Sequence, residues 1–193
     1  IKPFEEAIEI GVSSIMTYYS LPIGITKEEV GAGYNSELLL GLLRGKYAFD
    51  GIICTDWAII SDIILPDGKV VKPASAYGVE NLNISERLEK VVMSGVDLIG
   101  GENLTNELVK LIESGQIMES RIDESVSRIM KQKFQLGLFD NPFLDSKQLE
   151  IFDNEINRAK GIEAQKKSLT LLKNHEKMLI KNIQNFLIKS YQG

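Results

Sequence analysis

Three short apolar segments, each followed by a loop and then an amphipathic helical stretch, limit this chain to a few architectures. Residues 12–19 and 51–55 are mostly β-branched, aromatic or sulfur-bearing and carry no charge, and 96–99 is a third short apolar run with Asp97 near its start. Uncharged strands alternating with helices predict parallel β/α units, because a strand covered on both faces has no polar side to show. In a β/α barrel the loops after the strands form the active-site face, and three units cannot close a barrel of eight strands. The sheet is therefore either open or part of a barrel.

The helical punctuation is explicit. Residues 2–9 read as a helix with Pro3 in its first turn and Gly11 beyond its end. Residues 21–34, with Pro22 and several glycines, read as a long loop. Asn35 or Ser36 is expected to cap a helix over 37–44 that Gly45 ends. The segment Pro66-Asp67-Gly68 marks a turn inside a second long loop, from Ile59 to about Leu82. Ser85 is the expected N-cap of a helix over 86–93, closed by Gly95. Leu104, Leu108, Leu111 and Ile112 share one helical face, and Gly115 comes after it. Ser120 and Asp123 have capping-box spacing for a helix whose apolar face is Ile122, Val126, Ile129, Met130 and Phe134. Asn141-Pro142 breaks the chain, a further helix is expected over 154–167, and short strands at 169–172 and 186–188. No internal repeat is visible.

The chain has 193 residues, enough for one domain with a core, and its formal charge of −5 gives no reason to expect nucleic acid or an anionic membrane surface. No apolar run is long enough to span a bilayer as a helix. The lone Cys54 forms no disulfide within the chain, and one Cys with one His gives no zinc spacing, so no metal or other cofactor is expected. The first residue is Ile1, which points to a processed or partial sequence.

Asp56 stands out chemically. It ends the second strand, where β/α barrels carry catalytic side chains, and Trp57 beside it offers a flat apolar face for a sugar ring. Its ordinary use would be as a cap for the segment after the strand. Asp50, Asp62, Asp97 and Glu102 compete on similar grounds, with Asp97 read as structural. Tyr18 and Tyr19 end the first strand; one ring is expected in the core, and a hydroxyl near a carboxylate would orient it. Gly100-Gly101 allows close approach to the backbone but is more often a turn. His175 has no partner of metal-binding type and is expected in solvent.

Several motifs then fall in one order. The run GIICTDW at 51–57 resembles the nucleophile signature of glycoside hydrolase family 3. IMTYY at 15–19 is similar to the family's preceding strand, which carries a Met and a Tyr near the sugar. LLR at 42–44 with FDG at 49–51, AYGVE at 76–80, SGVD at 94–97, GGE at 100–102, RIDES at 121–125 and KFQLGLFD at 133–140 continue it. SLTLLKN at 168–174 resembles the start of a second domain, an α/β sandwich. The resemblance implies an α/β fold: strands six to eight of a (β/α)8 TIM barrel over 1–140, a linker with a helix over 141–167, and a truncated sandwich start over 168–193. It implies a β-glycoside as substrate, Asp56 as catalytic nucleophile, and Trp57, Tyr19 and Met16 as sugar contacts. The general acid/base of this family comes from the sandwich, and no residue here is assigned to it. The alternative is a non-catalytic remnant that at most binds carbohydrate or a partner.

Overall fold

The computed structural model describes residues 2–152, 154–170 and 172. Its contacts divide the chain into two units, Ile1–Pro142 and Phe143–Gly193.

The first unit opens with helix α1, Lys2–Glu9, and strand β1, Ser14–Met16. A π-helix spans Glu37–Lys46, and strand β2, Ile52–Cys54, comes after it. β1 and β2 pair in parallel, with Ile15 opposite Ile53. The third segment joins β2 through one parallel bridge, Cys54 to Leu98. The three expected strands are thus parallel, and the third is cut to a bridge for a visible reason. The Ile53 N–H, which a ladder would give to a backbone carbonyl, donates instead to Asp97 Oδ2 at 2.9 Å. The Ile53 carbonyl still accepts from Asp97 N and Leu98 N, and Thr55 N donates to Leu98 O. Helices α2 (Ile84–Met93), α3 (Thr105–Glu113) and α4 (Glu119–Gln135) complete this unit. Its core gathers Ile53, Leu39, Phe49, Leu88, Val91, Leu111 and Ile117, all buried.

Several helix ends differ from expectation. Of the two expected candidates, Asn35 supplies the side-chain oxygen for the π-helix, accepting from Leu38 N, but the helix runs past its expected end at Gly45 to Lys46. Asn83, not Ser85, caps α2, and with Glu86 it forms a capping box. Ser85 lies inside α2, and its hydroxyl meets Glu107 on α3. Met118 precedes α4 without a side-chain cap, so Ser120 and Asp123 form no box. On α4 the expected apolar face is only half covered: Val126 and Phe134 are exposed, whereas Ser125 is the helix's one buried residue. A polar network explains this. The fully buried Asp97 carboxylate takes Arg44 Nη2 at 2.5 Å, Arg128 Nη1 at 2.9 Å and Ser125 Oγ at 2.8 Å. Arg121 Nη1 donates to the same serine, and its Nη2 to Val96 O. Burial lowers the pKa of Arg44 and Arg121, which Asp97 opposes.

Neither long loop is featureless. Within 59–82 lies an antiparallel hairpin, β3 (Ile63–Ile64) with β4 (Val70–Lys72), Ile63 opposite Lys72, whose turn holds Gly68 at φ 83°. The segment after Pro22 dives into the core at Val30, Ala32 and Tyr34.

The second unit holds a 3-10 turn, Ser146–Gln148, helix α5, Leu149–Phe152, and helix α6, Glu155–Ser168, which Asn154 caps. No strand forms at 169, 170 or 172. Residue 171, the strand expected at 186–188 and His175 lie outside the described residues.

Among the described residues β1 pairs with β2 alone. Beside it, α1, β1 and the π-helix line an apolar cavity of about 220 Å³, onto which Phe4, Ile8, Ile15, Leu38 and Leu42 open. Thr17 Oγ1, also in its lining, is buried without a hydrogen-bond partner among the described residues. Met16 of β1 also borders this cavity and is 59% exposed. An unpaired edge flanked by apolar surface invites association. The 193-residue chain is therefore expected to elute above its monomer mass in size-exclusion chromatography, increasingly so with concentration; a sharp monomer peak at all concentrations contradicts this. Asp97→Asn keeps shape but leaves two guanidinium groups without their buried anion. It should destabilise the chain by about 3 kcal/mol in urea unfolding at one fixed protein concentration.

Candidate active site

Strand pleating and register place Asp56 two residues past Cys54, beyond the C-terminal edge of the three parallel segments. Its carboxylate accepts one hydrogen bond among the described residues, from Trp57 N at 2.7 Å. Each competing carboxylate is occupied elsewhere. Asp50 faces Arg128 and Lys131, which hold it below its ordinary pKa, Lys131 contributing most. Asp62 takes Ala74 N at 2.7 Å. Asp97 is the buried hub. Glu102 takes the N–H groups of Ile59, Ile60 and Ser61 and the Ser61 hydroxyl.

Those Glu102 contacts belong to a clamp on the chain just after Asp56. The Trp57 carbonyl accepts from Tyr19 Oη at 2.8 Å, and the Ile59 carbonyl from Tyr34 Oη at 2.5 Å. The Ala58 carbonyl accepts from Ser75 N, and the Ile60 carbonyl from Arg87 Nη1 at 3.1 Å. Ala58 sits at φ 52°, a left-handed conformation that costs a non-glycine residue about 1–2 kcal/mol. It persists because both flanking carbonyls are fixed from outside. Tyr34 is buried, and burial raises its pKa well beyond the ordinary tyrosine range.

Trp57 is 62% exposed. Its indole lies on Gly101, where an added Cβ would come within 2.4 Å of the ring, and a Cβ at Gly100 would meet Thr55 O at 2.5 Å. The glycine pair thus seats the tryptophan and the strand end. Thr55 Oγ1 binds Gly100 N at 2.8 Å and fixes that contact. Tyr19 is the tyrosine that packs toward the core; Tyr18 is exposed, as is Met16. The Tyr19 hydroxyl reaches the Trp57 carbonyl, not the Asp56 carboxylate. Tyr34, Arg87 and Lys72 escaped the sequence reading; only the unusual placing of a tyrosine in a glycine-rich loop hinted at the first. No three His, Cys, Asp or Glu side chains among the described residues gather as a metal site.

Cys54 shares the Asp56 face of its strand. Its thiol pKa is raised, first by burial and then by the Asp56 charge. At pH 8 Cys54 should therefore alkylate more slowly than a free thiol, and Asp56→Asn should speed it by removing the nearby anion. Asp67→Asn, in the hairpin turn, should leave the rate unchanged. Equal rates in the wild type and Asp56→Asn would contradict the placement of that charge.

The family model described as glycosyl hydrolase family 3 N terminal domain matches residues 1–132. The chain is 44% identical to β-glucosidase C of Emericella nidulans over 178 residues, covering 92% of this chain and 28% of that protein. It is 39% identical to a periplasmic β-glucosidase/β-xylosidase of Dickeya chrysanthemi, covering 91% of this chain and 29% of that protein. The crystal structure of a β-glucosidase from Listeria innocua in complex with glucose superposes with a TM-score of 0.69 at 26% identity, over 91% of this chain and 22% of that one. The chain thus spans under a third of the length of these relatives.

Proposed function

The chain belongs to glycosyl hydrolase family 3, and on that premise we propose that it carries the nucleophile part of a retaining β-glycosidase site. β1, β2 and the 96–99 segment correspond to strands six, seven and eight of the family's (β/α)8 barrel. Residues 1–140 form its last part, 141–167 a linker and 168–193 the start of the sandwich domain. The substrate is a β-glycoside cleaved at its terminal non-reducing sugar.

One observation carries this reading. Asp56 follows the C-terminal end of β2 and accepts only the Trp57 N–H among the described residues, whereas Asp50 and Asp97 are held by cations, Glu102 by several backbone donors, and Asp62, which also accepts a single N–H, ties down the base of the β3–β4 hairpin. A retaining mechanism needs such a group. The carboxylate attacks the anomeric carbon as the glycosidic bond breaks, giving a covalent glycosyl-enzyme. A second carboxyl, about 5–5.5 Å away, protonates the departing oxygen and then activates the water that releases the sugar. That acid belongs to the sandwich domain in this reading. Trp57 supplies a platform for the sugar, and Met16 and Tyr19 line its side; the exposure of the Trp57 ring and of Met16 supports those roles.

The 193-residue chain alone is expected to show no hydrolysis of nitrophenyl β-glycosides, because the acid is not assigned within it. A chimera tests the nucleophile: residues 1–132 replace the matching segment of the Emericella nidulans relative. The chimera should hydrolyse nitrophenyl β-glucoside. Asp56→Asn within it should lower kcat at least about a thousandfold, roughly 4 kcal/mol in the barrier, with its thermal midpoint little changed. Near-normal turnover in that variant shows the assignment to be wrong. An inactive chimera that still binds glucose in titration calorimetry favours the binding-only alternative.

A further inference from the structure

The hairpin β3–β4 delivers one cation to the site. Its base is closed by Ala74 N on Asp62 Oδ1 and by Ser75 N on the Ala58 carbonyl, so the hairpin is anchored to the strained residue after Trp57. Pairing Ile63 with Lys72 then sets where Lys72 emerges. Its Nζ lies 4.5 Å from the centroid of the Tyr19 ring and 3.3 Å from the Tyr19 hydroxyl. Among the described residues no carboxylate pairs with it.

We propose that Lys72 is a positioning residue for the Asp56 site, acting through Tyr19 on the Asp56–Trp57 backbone; this rests on the reading of Asp56 given above. The polarity of the contacts carries it. An ammonium group only donates, so in its contact with Tyr19 the phenol oxygen must accept. The single phenolic proton is then directed to the other neighbour, the Trp57 carbonyl, 2.8 Å away. The chain of bonds runs from Lys72 through Tyr19 to Trp57, and a charged donor at its head strengthens the next bond. The cation also sits over the ring, which resists rotation of the phenol away from this pose. Trp57 is bonded at both ends of its own peptide units: its carbonyl to Tyr19 and its N–H to Asp56 Oδ1. A shift of the phenol therefore moves the carbonyl, and with it the turn that aims the carboxylate. In this way the hairpin, outside the strand that carries Asp56, sets the nucleophile's orientation.

Trp57 is the chain's only tryptophan, so its fluorescence reports the site directly in the 193-residue chain. Lys72→Met should shift its emission to longer wavelength and increase quenching by acrylamide. Lys72→Arg should restore most of the wild-type signal, since a guanidinium also donates and stacks on the ring. In a Tyr19→Phe background, Lys72→Met should have little further effect, because the hydroxyl link is already gone. A cation that merely held the hairpin would change the signal equally in both backgrounds, and that result overturns the proposal. So does failure of Lys72→Arg to rescue. The consequence for catalysis is read in the chimera, where Lys72→Met should lower kcat roughly fivefold, about 1 kcal/mol in the barrier, with KM little changed. An unchanged kcat there also overturns it. If the chimera is inactive with Lys72 intact, the reading of Asp56 has failed, and the fluorescence cycle still decides whether Lys72 governs the Trp57 backbone.

Discussion

The buried carboxylate of Asp97 is the interaction on which the rest of the first unit depends. It receives Arg44 from the π-helix, Arg128 and Ser125 from α4, and the Ile53 N–H from β2. One anion thereby ties two helices to the middle strand. Arg44 extends the tie, donating also to the Phe49 and Gly51 carbonyls at the entrance of β2. A carboxylate without solvent is tolerable only when its oxygens are fully engaged, and here two guanidinium groups, a hydroxyl and an amide do so. The network also explains why α4 turns a polar face inward. Burying Ser125 with the inner parts of Arg121 and Arg128 serves the anion better than burying Val126 and Phe134 would.

From that anchor the geometry propagates to the other end of the strand. Asp97 fixes Ile53; Ile53 fixes the register of β2 against β1 and the 96–99 segment; that register decides where Asp56 and Trp57 leave the sheet. Asp97 and Asp56 are the same residue type on neighbouring strands and sit in opposite surroundings. The first lies where cations and donors converge on it. The second emerges where the backbone donors are already taken, chiefly by Glu102. Environment, not identity, separates the structural carboxylate from the one proposed as nucleophile.

Much of this was legible in the sequence. Local signals sufficed for the parallel strands, because the runs around Ile15 and Ile53 are apolar on the covered face, and for α2 and α3, whose apolar positions recur at helical spacing. Asp97 read as structural from its place at the start of a strand. Caps were less legible. Asn83 and Ser85 are both good cap residues, and only the reciprocal contact of Glu86 with Asn83 decides between them. The hairpin was visible in part: Ile63, Ile64, Val70 and Val71 flank a turn, but the strands are too short for alternation to mark them. The clamp around residues 57–61 was not legible at all, since Tyr19, Tyr34, Arg87 and Glu102 are distant in sequence and meet only through tertiary packing. Among them Glu102 was visible as a carboxylate, yet its role depends on three backbone N–H groups that no local pattern marks.

The clamp bears on why a strained residue survives beside Asp56. Ala58 would relax in an ordinary turn, where water satisfies the carbonyls on either side. Here Tyr19 and Ser75 hold those carbonyls, and Glu102 binds the next three amides, so relaxation would break several hydrogen bonds at once. A turn whose only task was to join a strand to a loop would gain nothing from such restraint. A carboxylate that must meet a reacting carbon does gain, because an error of about 1 Å in its position is costly to the reaction. The restraint also leaves the outer part of the Trp57 indole open while its inner part rests on Gly101. A restrained backbone carrying a carboxylate beside an open aromatic plane suits the proposed recognition of a sugar ring, and the restraint comes from residues brought together only by the fold.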